Sequence, residues 1–175
     1  TRGEGFTLAV IRKPDDGPLC TTRLRPTRRQ PAAAVPEEMK RWLAAPEDYA
    51  LERTADGRVR ALPRAFRDVV TELEAHVHVL TAGVPLGEVK GRDAVPSAAL
   101  ALSSALRPEA FATVDLPRPE ALRYLRREAL SLPADVPRGY VLAAYGGLPL
   151  GFMKQLGPRA NNLFPDEWRI RKALI

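Results

Sequence analysis

"LPLGFMKQLGPRANNLFPDEWRIRK", residues 148–172, decides how this chain is read: it carries five Lys/Arg, two adjacent asparagines and three aromatics with little helical period. Its apolar start has strand character, Gly157 and Pro158 break it, and Trp168 and Ile170 alternate near its end. The pattern predicts two strands joined by a basic loop. Lys154, Arg159, Asn161 and Asn162 fall within nine residues, on that one loop. Arg169 and Arg171 alternate with Trp168, Ile170 and Lys172, so the two arginines are expected on one face of the last strand. Such a loop is either plain surface or an edge that grips RNA. Arg and Lys meet phosphates, Asn pairs with base edges, and exposed aromatics stack on unpaired bases. Each type also has a plainer use: Phe152, Phe164 and Trp168 as core, the asparagines as turn formers that bond their own backbone.

An echo of the same stretch lies upstream. "GVPLGEVK" starts at Gly83 and "GLPLGFMK" at Gly147, 64 residues apart, and they agree at five of eight positions. Strand-like runs, "HVHVL" and "YVLAAY", precede them, each with a helix pattern before it. Two related α+β units are expected, the second with the longer basic loop. Chance likeness between two turns is the alternative.

Around these units the chain is punctuated by 17 prolines among 175 residues, near twice the usual share of about 5%. Helices should therefore be short, with much strand and loop. Phe6 to Arg12 (FTLAVIR) reads as a strand, and Lys13 to Pro36, with four arginines and five prolines, as a mobile linker. Pro36 before Glu37 and Glu38 opens a helix to about Ala45, with Met39, Trp42 and Leu43 on one side. "YALERTADGRVRAL" (49–62) is two strand-like runs around Asp56-Gly57, a hairpin signal. Residues 63–75 pattern as a helix with Phe66, Val69, Val70 and Leu73 on one stripe. "PSAALALSSAL" (96–106) reads as a short buried helix, and "RPEALRYLRREAL" (118–130) as a basic amphipathic one.

With 45% hydrophobic and 27% charged residues the chain is of the ordinary globular class, long enough to bury a core. A formal charge of +6 favours an anionic partner without naming it. One cysteine, Cys20, excludes an internal disulfide and a thiolate metal cluster, and points to a reducing, cytoplasmic setting. The longest uncharged stretch, Gly139 to Met153, is too short and too broken to cross a bilayer. No signal peptide is visible, and a start at Thr1 suggests a piece of a longer protein.

No catalytic constellation is legible. Cys20 sits in the linker-like segment, without a dry electropositive pocket to activate it. His76 and His78, read on a strand, face one side, but nearby ligands to complete a metal site are lacking. "GEG" at 3–5 precedes a strand rather than opening a helix, so it is no dinucleotide fingerprint. Neither catalytic residues nor metal ligands are expected in this chain.

The closing run, G-LPLGF-K--G-RANN-FP-EWRIR, resembles the C-terminal RNA-binding domain of bacterial RsmF-like rRNA (cytosine-5)-methyltransferases, the Sun/Fmu group. "GEGFTLAVIRK" is similar to the last strand of that family's methyltransferase domain, with Thr7 where a second aromatic is usual. "GVPLGEVKGRDAVPSAALALS" and "YLRREAL" resemble the stretch between. The resemblance implies an α+β fold: residues 1–13 as the end of a methyltransferase domain, 14–36 a mobile linker, 37–110 a small α+β middle domain, and 111–175 a PUA-like mixed β-barrel. The family's cofactor loop and cysteine motifs have no counterpart here, and Cys20 falls outside either motif. The resemblance therefore implies no cofactor in this chain, with S-adenosylmethionine belonging to the complete enzyme. It implies rRNA and the methyltransferase domain as partners. RNA contact is expected at Lys154, Arg159, Asn161, Asn162, Arg169 and Arg171, with Lys90 and Arg92 in the first unit. The rival expectation is a scaffold that stiffens the methyltransferase domain without touching RNA.

Overall fold

The structure, a computed structural model, describes residues 34–54 and 56–172. The readings of Phe6 to Arg12 as a strand, of the linker up to residue 33, and of Cys20 lie outside the described residues.

The first unit combines three short helices with a four-stranded antiparallel sheet. Helix α1 (Glu37–Arg41) starts after Pro36, with two glutamates in its first turn, and ends sooner than expected. Met39, Trp42 and Leu43 are buried together, as their spacing predicts. Strands β1 (Tyr49–Arg53) and β2 (Arg58–Pro63) form the hairpin around Asp56-Gly57, paired from Tyr49↔Pro63 to Arg53↔Val59. Helix α2 (Arg67–His76) follows a short 3-10 turn, Arg64–Phe66. Strands β3 (Val84–Lys90) and β4 (Asp93–Pro96) complete the order β1-β2-β3-β4. Helix α3 (Ala98–Ala101) is capped by Ser97, whose Oγ accepts from Leu100 N at 3.2 Å, and buries Leu100 and Ala101.

The second unit begins with β5 (Ala112–Asp115), then α4 (Arg118–Leu125), β6 (Gly139–Tyr145), β7 (Leu148–Gln155) and β8 (Ala160–Asn162). β5 runs parallel to β6, and β6, β7 and β8 are antiparallel, so the sheet is mixed. Its order, β5-β6-β7-β8, is open: no pairing joins β5 to β8 among the described residues. The fold is α+β.

Three expectations are corrected. "HVHVL" is not a strand: His76 ends α2, Val77 N bonds back to Leu73 O at 2.8 Å, and residues 77–83 form no ladder. His76 and His78 therefore share no strand face. The last strand is Ala160–Asn162, not the Trp168–Lys172 run; Pro165 leads into a 3-10 turn, Asp166–Trp168. Arg169 and Arg171 consequently have no common strand face. Lys154 lies in β7 and the asparagines in β8, so only Arg159 sits in the loop between.

The echo has a structural basis. Pairing of β2 with β3 steps from Val59↔Gly87 to Arg60↔Pro85, leaving Leu86 as the extra residue. Pairing of β6 with β7 steps from Ala143↔Gly151 to Ala144↔Pro149, leaving Leu150. Each Pro-Leu-Gly is thus a β-bulge that re-aims its leucine. Leu86 is fully buried in the first core, and Leu150 packs against the second. The glycines are needed for close approach: a Cβ on Gly87 would lie 2.1 Å from Val95 O, and one on Gly151 2.3 Å from Tyr124 Oη. The likeness does not reach the strand before each bulge, since β6 precedes one and the irregular 77–83 segment the other.

Strands β6 and β7 serve two cores. Leu142 and Phe152 point into the core of the first unit, where Trp42, Phe111 and Phe152 stack with centroids 5.5 and 4.7 Å apart. Their neighbours Ala143 and Met153 point into a second core with Leu116, Tyr124 and Phe164. A strand buried on both faces reads as a continuous apolar run, which "YVLAA" does. Phe152 and Phe164 are core aromatics, while Trp168 is half exposed against Phe164.

Candidate nucleic-acid interface

The site forms where α4 ends against β8. Helix α4 stops with Arg127 in a left-handed conformation (φ 63°). Glu128 N bonds Arg123 O at 3.0 Å and Arg127 N bonds Tyr124 O at 2.8 Å, the pair of bonds that usually has glycine at the turning residue. Asn162 fastens the turn: its Nδ2 donates to Tyr124 O at 2.8 Å and Glu128 O at 3.1 Å, and its Oδ1 accepts from Phe164 N at 2.9 Å. All of these side-chain bonds serve the fold.

Asn161, next in β8, is exposed and opposite Lys154 in the ladder. It opens onto a shallow depression lined by Arg127, Ala129, Asn162, Leu163, Asp166 and Arg169. Asp166 Oδ1 lies 3.2 Å from Arg127 Nη1 and 3.3 Å from Arg169 Nη1, so one carboxylate braces two guanidiniums and one positive charge is left over. Arg159, in the β7–β8 loop, and Arg171 are exposed and form no ion pair among the described residues.

Lys154 has a different setting. Its Nζ pairs with Asp93 Oδ2, lies 3.2 Å from Tyr140 Oη and sits 4.8 Å from the Tyr140 ring centroid. Tyr140 also donates to Asp93, at 2.9 Å. The Lys154 hydrogen bond holds the Asp93 carboxyl below its ordinary range, Asp93 in turn raises Lys154, and burial raises Tyr140. This trio ties β4 of the first unit to β6 and β7 of the second. Arg92 directly precedes Asp93 in the β3–β4 turn and is exposed without an ion pair among the described residues; Lys90 pairs with Glu88 at 3.1 Å.

Of the expected residues, the structure brings Asn161, Asn162 and Arg169 together and places Lys154 across the ladder from Asn161. Arg159 and Arg171 flank them along the chain, and Lys90 and Arg92 belong to the first unit. Arg127 escaped the sequence reading, because nothing in "LRREAL" marks a helix ending on an arginine rather than a glycine.

Residues 111–170 match the model of a family described as the methyltransferase RsmF PUA domain. Two curated relatives, from Shewanella sp. and Shewanella putrefaciens, are each named ribosomal RNA small subunit methyltransferase F. Each is 30% identical to this chain over 136 residues, which is 76% of this chain and 27% of the relative. The chain thus spans about a quarter of the length of these relatives. The depression and Arg159 fall inside the matched residues; Arg171, Lys90 and Arg92 fall outside them.

Proposed function

We propose that this chain, which carries an RsmF-like C-terminal region, binds ribosomal RNA and holds it for cytosine-5 methylation by a methyltransferase part that the chain does not contain. The observation that carries the reading is the depression at the end of α4. There Arg127, Asn161 and Arg169 present two guanidiniums and a free carboxamide around one bracing carboxylate. Guanidiniums suit phosphate oxygens, and an exposed carboxamide suits the edge of an unpaired base. Arg159 and Arg171 extend the cationic surface, with Arg92 in the first unit; Lys154 and Lys90 contribute less, their charges already being paired.

S-adenosylmethionine belongs, on this reading, to the methyltransferase part.

Salt-dependent binding to an rRNA fragment tests the proposal. Each phosphate contact adds to the slope of log affinity against log salt, so Arg159→Ala and Arg171→Ala should each flatten it by roughly one unit. Asn161→Ala should leave the slope and the melting midpoint unchanged and weaken sequence preference. An Arg127→Ala, Arg169→Ala double variant with full affinity and the original slope would sink the reading.

A further inference from the structure

Among the described α-helices, α2 alone has no buried residue. Its sequence nevertheless carries an apolar stripe. Phe66, Val69, Leu73 and Val77 are spaced three and four apart, lie on one side, and are between 48% and 60% exposed. The helix is held to the sheet by charge instead. Arg60 of β2 bonds Glu52 of β1 at 2.9 Å and Glu74 of α2, Oε2, at 2.9 Å, and Arg67 reaches Glu52 at 3.2 Å. Ion pairs thus occupy the side that faces the sheet, and the apolar stripe faces out. Leu80, 89% exposed, follows three residues after Val77 and lines a groove with Pro85 and Val95. An exposed apolar stripe of this kind marks a docking face.

We propose that this face docks the methyltransferase part of an RsmF-like protein, through an apolar patch rimmed by Lys or Arg. The inference rests on the functional reading above. Three observations select the occupant. The chain spans 27% of its relatives' length, so most of such a protein lies outside it. The flank of the stripe carries Asp68, exposed, and Glu72, partly buried beside His76, which disfavours RNA and asks for a basic rim. A two-fold contact between copies would set this face against an identical one, which brings the same acidic residues rather than a basic rim.

Amide exchange across residues 67–77 tests this in the 175-residue chain and in a longer RsmF-like protein containing it. Exchange should be at least tenfold slower in the longer protein. Val69→Glu with Leu73→Glu should restore the faster rate there, while shifting the melting midpoint of the 175-residue chain only slightly, because both side chains are already about half exposed. Equal exchange in the two proteins overturns the proposal. So does a dimer of the 175-residue chain that the double variant dissolves, or slowing by added rRNA fragment alone. RNA affinity is read on the arginine variants at the other surface, so loss of that reading and loss of this one are separate results.

Discussion

Arg127 holds a backbone conformation that costs an ordinary side chain about 1–2 kcal/mol, and it does so beside the depression where guanidiniums and a free amide gather. Strain of this kind persists where the side chain is needed. Arg127→Gly relieves it, and the added freedom of glycine in the unfolded chain returns about 0.4–1 kcal/mol of that gain. The variant should therefore melt at or above the midpoint of the parent, while binding an rRNA fragment more weakly and with a salt slope flatter by about one unit. Calorimetry and filter binding at several salt concentrations check the two halves. The adjacent asparagines divide the same way. Asn162 spends its amide on Tyr124, Glu128 and Phe164, so Asn162→Ala should cost about 1–3 kcal/mol of stability, read in a urea melt. Sequence allowed both a turn role and a base role for each asparagine. The choice between them depends on what α4 leaves unbonded, which no local pattern encodes.

Among the elements, the trio of Lys154, Asp93 and Tyr140 joins the two sheets and makes the joint sensitive to pH. Asp93 titrates below its ordinary value, so its contribution is present above the unfolded carboxyl pKa of about 3.9 and fades as pH falls through the lowered value. Lys154 is raised, so its contribution is present below about 10.4 and fades as pH rises through the raised value. Wild type should lose more urea resistance than Asp93→Asn between pH 7 and pH 3. The gap will be small, because both side chains are partly open to solvent. Local signals made several elements legible: Asp56-Gly57 gave the hairpin and Pro36 with two glutamates gave α1, while the repeated Pro-Leu-Gly was visible as a repeat but not as the pair of bulges it forms. The misreadings share one cause. "HVHVL" and the Trp168–Lys172 run alternate as strands do, yet neither finds a neighbour to complete a ladder. Ile170 N bonds Leu125 O at the end of α4 instead. Alternation reports a side-chain pattern, whereas a strand also needs a partner with the right register. The stripe on α2 was legible as well, but which way it faces was not, since the ion pairs that turn it outward come from β1 and β2.

At the scale of the whole molecule, the two units share a core through β6 and β7, so they should unfold together. Calorimetry of the 175-residue chain should show one transition, with calorimetric and van't Hoff enthalpies equal. Leu142→Ala, though it lies in the second sheet, should lower that single midpoint by the equivalent of about 2–5 kcal/mol, because it empties space in the core of the first unit. Two separated transitions would mean that the sheets are independent. Adjacent residues of one strand, Leu142 and Ala143, face opposite cores. That leaves no layer along which one sheet can slide or swing over the other. A body without a hinge behaves as a gauge block. With RNA held at the β8 edge and a partner seated on α2, as proposed, the distance between them is fixed by the protein. The nucleotide presented for reaction is then selected by reach, and the RNA must bend to the protein's measure.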